Sequence, residues 1–170
     1  MKNRNTTEGI RHDNRALILK SLRRLGPSSH TDIAEDSALA SGTVSVITSE
    51  LFEEGAILKS EQPASKGRGR PRVLLTLHPD FAKLAFMHIA SGEVEYSLIN
   101  YNNVLLDQFK VPRHRAETDA PAFGAQVRRD LFRLAERSNL RPSEIAHISI
   151  TTKGLVGGGG TKLLWSPIFG

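Results

Sequence analysis

The hydrophobic period of this 170-residue chain changes near Gly55, and that change limits the fold more than any other feature. Before it, apolar residues recur at helical spacing in three short segments separated by helix breakers. After it, they run in β-prone strings of Ile, Leu and Val. In "NRALILKSLRRLG", Ile18, Leu19, Leu22 and Leu25 share a helical stripe, Lys20, Arg23 and Arg24 lie on other faces, and Gly26-Pro27 ends the segment. Asp13 or Asn14 is expected to cap this helix, which leaves residues 1–10 as a flexible tail. A second short helix is expected in "SSHTDIAEDSAL", where Ser29 and Asp32 form a box-like start and Ile33, Ala34 and Ser37 face a neighbour. The third, "SGTVSVITSELFEEG", gathers Val44, Ile47, Thr48 and Leu51 on one stripe and turns Ser45, Val46 and Ser49 the other way.

Two β-prone runs follow, "AILKSE" and "RVLLTLHP", and between them lies "SKGRGRPR", residues 65–72. Helix, short helix, turn, helix and hairpin is the order of a winged helix-turn-helix, expected here over residues 11–78. In that arrangement helix 41–54 enters the major groove. Ser41, Thr43, Ser45 and Ser49 offer hydroxyls to phosphates or base edges on a face with no acid before Glu50. Val46 can meet a thymine methyl but cannot make a bidentate guanine contact. The wing supplies Lys66, Arg68, Arg70 and Arg72. Its glycines permit close backbone approach, Pro71 limits its conformations, and Arg-Gly-Arg-Pro resembles the AT-hook core, so minor-groove or phosphate contact is expected. Ala38 and Ala40 stand where such motifs commonly carry a turn Gly and a capping Ser, which fixes the turn less firmly. Plainer readings are an amphipathic core helix with a serine-rich solvent face, solvated wing charges, or a winged helix used for protein contact.

The charge balance suits a nucleic-acid partner without requiring one: 23 Lys and Arg stand against 18 Asp and Glu, a formal net charge of +5, with a pI near 9.8. The absence of cysteine removes disulfides and thiolate metal sites. No apolar run approaches the roughly 18–20 residues that cross a bilayer, and the N-terminus has no apolar signal core, so a cytoplasmic protein without membrane contact is expected. The six histidines form no i,i+4 pair or ligand cluster, and no Ser/His/Asp arrangement stands out. No metal, cofactor or catalytic residue is therefore expected. "VGGGGTK", residues 156–162, fails the phosphate-loop pattern and reads as a hairpin turn.

Residues 79–170 form a different unit. "AKLAFMHIA", "EVEYSLIN" and "VLLDQFKVP" read as consecutive strands joined through Ser91-Gly92 and Asn102-Asn103. "APAFGAQVRRDLFRLAERSN" sets Phe123, Val127, Leu131, Leu134 and Ala135 at helical spacing, and "IAHISITT" returns to strand character. The class is α+β, a winged helix-turn-helix followed by the start of an α/β domain. The glycine-rich remainder is expected to hold no further elements.

The chain resembles the N-terminal part of a ROK-family transcriptional repressor, a group related to sugar kinases. The resemblance rests on "RHDNRALILKSLRRLGPSS", "TVSVITSELFEEGAI", "GRGRP", the strand-strand-strand-helix-strand block, and "GLV" with "WSP". It implies a repressor of sugar-metabolism genes that binds double-stranded DNA as a homodimer, with a partial actin-like ATPase (ribonuclease H-like) lobe in residues 79–170. The alternative it raises is a sugar kinase-related enzyme with an added N-terminal domain. Against that alternative, "HIASG" stands where related kinases have Asp-x-Gly-x-Thr, with His88 for the acid, Ala90 for the first Gly and Gly92 for Thr. Lys153 replaces the usual Pro before "GLV", and Ile168 stands where many members have Asn near the sugar. The chain stops before the family's His/Cys zinc segment and second lobe, so tight binding of ATP or a sugar effector is not expected, dimerisation loses its main family contacts, and apolar surface in residues 81–152 is left uncovered.

Overall fold

A computed structural model describes residues 6–61, 73–113, 120–160 and 162–168. The chain divides into two compact units, Met1–Phe81 and Ala82–Gly170.

In the first unit, α1 (Thr7–Leu25) starts earlier than the sequence suggests, because the Thr6 hydroxyl accepts the Gly9 amide at 3.1 Å. Residues 7–10, expected as tail, are thus helical, and Asp13 and Asn14 lie inside a helix whose first amides are elsewhere satisfied. Gly26, at φ 74°, ends α1 and returns its N–H to the Leu22 carbonyl. The capping box of α2 (His30–Ser37) forms as expected: Ser29 accepts the Asp32 amide at 3.3 Å, and the Asp32 carboxylate accepts the Ser29 amide at 2.9 Å. The link to α3 (Ser41–Glu53) passes through Ala38 at φ 56°, a left-handed conformation, and Ala40 caps α3 without any side-chain hydrogen bond.

β1 (Ile57–Glu61) and β2 (Val73–Leu77) form an antiparallel pair running from Ile57↔Leu77 to Glu61↔Val73. Ser28 and Leu75 exchange backbone hydrogen bonds of 3.0 and 2.8 Å, which ties the α1–α2 connection to the hairpin. Ile18, Leu22, Ile33, Val44, Ile47, Leu51, Ile57, Leu75 and Leu77 make the core. Each such side chain contributes about 1.5–3 kcal/mol when fully buried. Leu25, placed on the apolar stripe of α1 by its spacing, is exposed on the last turn, and Ser21 takes a buried place between Ile18 and Leu22.

The second unit holds β3 (Lys83–Ile89), β4 (Glu93–Asn100), β5 (Leu105–Pro112), α4 (Ala120–Arg137) and β6 (Ile145–Thr152). The sheet order is β5-β4-β3-β6, with β3 and β6 parallel and the other pairs antiparallel. Strict alternation in β4 sends Val94, Tyr96 and Leu98 inward, where they meet Ala85, Met87 and Ile89 of β3 and Leu134 of α4. Phe123, Val127 and Leu131 pack against this cluster, as their helical spacing predicts. The Asn102-Asn103 turn is held by the Asn100 side-chain oxygen, which accepts the amides of Asn102 and Val104 at 3.0 and 2.9 Å, while Asn103 takes φ 61°. β6 forms one edge of the sheet, and its Ile148 and Ile150 remain 43% and 59% exposed.

The glycine-rich remainder is not devoid of structure. β7 (Leu155–Gly157) and β8 (Lys162–Trp165) pair as an antiparallel hairpin, as the local turn reading of "VGGGGTK" implies but the broader expectation of no further elements does not. The segment after it folds back onto the core. Ser166 donates to the Lys153 carbonyl at 2.6 Å, Arg113 donates to the Ile168 carbonyl at 3.0 Å, and the Ile168 side chain joins the buried cluster.

Two predictions arise here. Ala38→Gly relieves the left-handed alanine and Ala40→Ser supplies the missing cap, so each should stabilise the first unit by about 0.5–1 kcal/mol in chemical denaturation. In the second unit Asp107 accepts hydrogen bonds of 2.6 and 2.9 Å from Arg137, which hold its carboxyl below the ordinary 3.8. A depressed carboxyl stabilises the fold above its unfolded value and loses that contribution as pH falls through its folded value. Asp107→Asn should therefore speed amide exchange in β4 and β5 at pH 7, with the difference disappearing in acid.

Candidate nucleic-acid interface

The two faces of α3 differ sharply in burial. Val44, Ile47, Thr48 and Leu51 are buried against the rest of the unit, so Ser41, Ser45, Val46 and Ser49 are left exposed and Thr43 half-buried. The sequence predicts this division residue by residue. Thr48 is polar within the apolar stripe but satisfied: its hydroxyl donates to the Val44 carbonyl at 2.8 Å and meets Nε2 of His30 at 3.0 Å. With the hydroxyl proton spent on the carbonyl, the His30 ring acts as the donor, and this bond links α2 to α3.

The exposed hydroxyls are not equivalent. Ser49 donates to the Ser45 carbonyl at 2.9 Å, so its proton is used within the helix and its oxygen faces outward as an acceptor. Among the described residues, the hydroxyls of Ser41, Thr43 and Ser45 have no such partner. Val46 is 54% exposed and forms, with Ile10 and Thr43, part of an open cleft of about 350 Å³ between the N-terminal turns of α1 and α3. Thr7, Arg11 and Asn14 complete that cleft from α1. The part of this contribution made by Thr7 and Ile10 escapes a reading that takes residues 1–10 as tail; the signal for it is the Thr6 cap followed by Ile10.

Charge is controlled at the far end of the helix. Glu50 is paired with Arg11 and Glu54 with Arg15, so two rungs one helical turn apart join α1 to α3. The second rung is two-pronged, with a 2.6 Å contact from Arg15 Nη1 to Glu54 Oε1, and the guanidinium holds the Glu54 carboxyl below its ordinary range. On the remaining flank the Lys59 ammonium lies 4.4 Å from the centre of the Phe52 ring. Lys66, Arg68, Arg70 and Arg72 lie outside the described residues.

In the second unit His88, which the resemblance sets against the acid of related kinases, lies at the end of β3 with Nδ1 3.0 Å from the Thr151 hydroxyl. The β3–β4 turn closes through the Ala90 amide on the Glu93 carbonyl at 2.9 Å. Among the described residues there is no group of three or more His, Asp or Glu side chains arranged to hold a metal ion. Among the described residues, likewise, no helix is long and apolar enough to cross a membrane.

No protein-family model matches the chain. Relatives do. The chain is 26% identical over 160 residues to the DNA-binding transcriptional dual regulator NagC of Escherichia coli K12, and equally to the N-acetylglucosamine repressors of Escherichia coli O6:H1 and Shigella flexneri. The match covers 93% of this chain. It resembles the ROK-family repressors over nearly its whole length. The chain spans 38% of the length of the curated relatives it matches. Its fold matches the crystal structure of a ROK family transcriptional regulator described as a homolog of the Escherichia coli MLC protein, with TM-score 0.67 and 24% identity over 94% of this chain and 40% of that one. The resemblance read from the sequence is thus borne out, as is the α+β class with its mixed sheet.

The two faces of α3 predict opposite mutational behaviour. Thr43→Ala and Ser45→Ala should leave stability within about 0.5 kcal/mol of the parent. Ile47→Ala or Leu51→Ala should cost about 2–4 kcal/mol through cavity formation. Urea unfolding of the four variants checks the division.

Proposed function

We propose that this chain is a DNA-binding transcriptional regulator of the ROK type, a repressor of sugar-metabolism genes. On this reading residues 11–78, together with the first turn of α1, form a winged helix-turn-helix, and residues 79–170 form part of an actin-like, ribonuclease H-like lobe. The observation that carries the proposal is the exposed face of α3: short side chains, hydroxyls without internal partners, and no acid before Glu50, which Arg11 answers. A helix with that face can sit deep in the major groove, where Ser41, Thr43 and Ser45 donate to phosphates or base edges and Val46 meets a thymine methyl. Ser49 serves as an acceptor unless its back-bond is exchanged. The wing, with Lys66, Arg68, Arg70 and Arg72, adds contacts to phosphates or to a narrow minor groove. Double-stranded DNA is then the partner, and a second copy of the chain would place two reading helices on half-sites about one helical turn apart. The relatives' names, a transcriptional dual regulator and N-acetylglucosamine repressors, support both the activity and the link to sugar metabolism.

The kinase-related alternative lacks support in the "HIASG" turn. Phosphoryl transfer is largely the positioning of phosphates and metal ions against donors and carboxylates, and His88, Ala90 and Gly92 supply neither the acid nor the hydroxyl. Ile168 spends its side chain on the core rather than on a ligand. Calorimetry with ATP and a panel of hexoses should register no micromolar binding, and a micromolar hexose or ATP complex would reopen the enzyme reading.

The DNA reading is tested by selecting duplexes from a random pool and titrating them by fluorescence anisotropy at several salt concentrations. Affinity should fall steeply with salt, because bound cations release condensed counterions. Arg68→Ala and Arg70→Ala should each reduce the log-log slope by about 1 if the contact is to phosphate, and reduce preference for A·T-rich flanks if it is to the minor groove. Thr43→Ala and Ser45→Ala should weaken the selected duplex more than random DNA. Salt-independent binding would exclude the proposed interface.

A further inference from the structure

Glu50 is the first acid on α3, and it lies one turn beyond Val46 and next to Ser49, at the margin of the exposed face. A carboxylate in that place faces the phosphate backbone of any duplex read by the helix, and like charges brought together at an interface oppose association. Arg11 of α1 meets this carboxylate directly. The neighbouring Arg15–Glu54 rung repeats the same arrangement one turn along both helices, so the pairing follows from the way α1 crosses α3 and not from one side-chain rotamer. Surface ion pairs of this kind contribute little to stability, about 0–1 kcal/mol, so folding alone gives two such rungs a small role.

We propose that Arg11 is a positioning residue for DNA recognition: it neutralises Glu50 at the edge of the reading face, while the Arg15–Glu54 rung holds the angle at which α3 is presented. The proposal rests on the DNA-binding reading above. It makes the opening turns of α1 part of the interface, consistent with the cleft that Ile10, Arg11 and Asn14 share with Thr43 and Val46.

The test uses the full chain with a duplex selected from a random pool, comparing Arg11→Ala, Glu50→Gln and the double variant by anisotropy at about 50 mM and about 200 mM salt. Removing Arg11 unmasks one negative charge, and affinity at the lower salt should fall by about five- to tenfold, with the deficit shrinking at the higher salt. Glu50→Gln frees the guanidinium and should bind more tightly than the parent. The double variant carries the parent's net charge and should return to within about twofold of its affinity. If the double variant is as weak as Arg11→Ala, Arg11 touches DNA itself and the neutralising role is overturned. If the thermal midpoint falls in parallel with affinity in Arg11→Ala and is not recovered in the double variant, the role is structural and the proposal is equally overturned. A parent chain that selects no duplex at all would overturn the DNA reading together with this inference, whereas a parent that binds while the three variants match it would overturn this inference alone.

Discussion

Burial of one stripe of α3 is the constraint on which the rest of the first unit depends. Val44, Ile47, Thr48 and Leu51 can be covered only if α1, α2 and the hairpin converge on a single side of the helix, and the backbone exchange between Ser28 and Leu75 ties the chain in that arrangement. With that side occupied, the other is committed to solvent or to a ligand. Its composition then becomes informative: four serines and threonines and one valine, with acids only from Glu50 onward, where arginines of α1 answer Glu50 and Glu54. The same packing that stabilises the unit therefore orients the face proposed to read DNA.

Much of this is legible in the sequence because it depends on local periodicity. The α3 stripe, the Ser29–Asp32 box, the strands after Gly55 and the apolar face of α4 follow from spacing and from the chemistry of caps and turns. What escapes is set by tertiary contact or by competition between equivalent signals. Thr6 outranks Asp13 and Asn14 as the cap of α1 because helix continues through Ile10 once Thr6 satisfies the Gly9 amide. Spacing places Leu25 and Leu22 alike, and only the packed partners distinguish them. The pairing of Arg11 with Glu50 links residues far apart in sequence, and no local pattern announces it.

The second unit has a similar history. Its strands and helix are evident from alternation and amphipathicity, while the β7–β8 hairpin is signalled by its glycine turn alone, its short strands being too brief to carry a period. Ile168 reads in the sequence as a departure from a sugar-contacting position, and the structure gives it a packing role, with Arg113 fastening its carbonyl. Ile148 and Ile150 on edge strand β6 are exposed, a feature that the alternation of "IAHISITT" does not by itself assign to one face.

The central claim is that the first unit carries the DNA interface and that α3 presents it. It is tested most directly by titrating the isotopically labelled chain with a selected duplex and following backbone amide resonances. The account predicts saturable shifts concentrated in residues 41–54 and 65–72 and in the opening turns of α1, with residues 83–165 little changed. Shifts centred on the second unit, or spread over α3 no more than elsewhere, would contradict it.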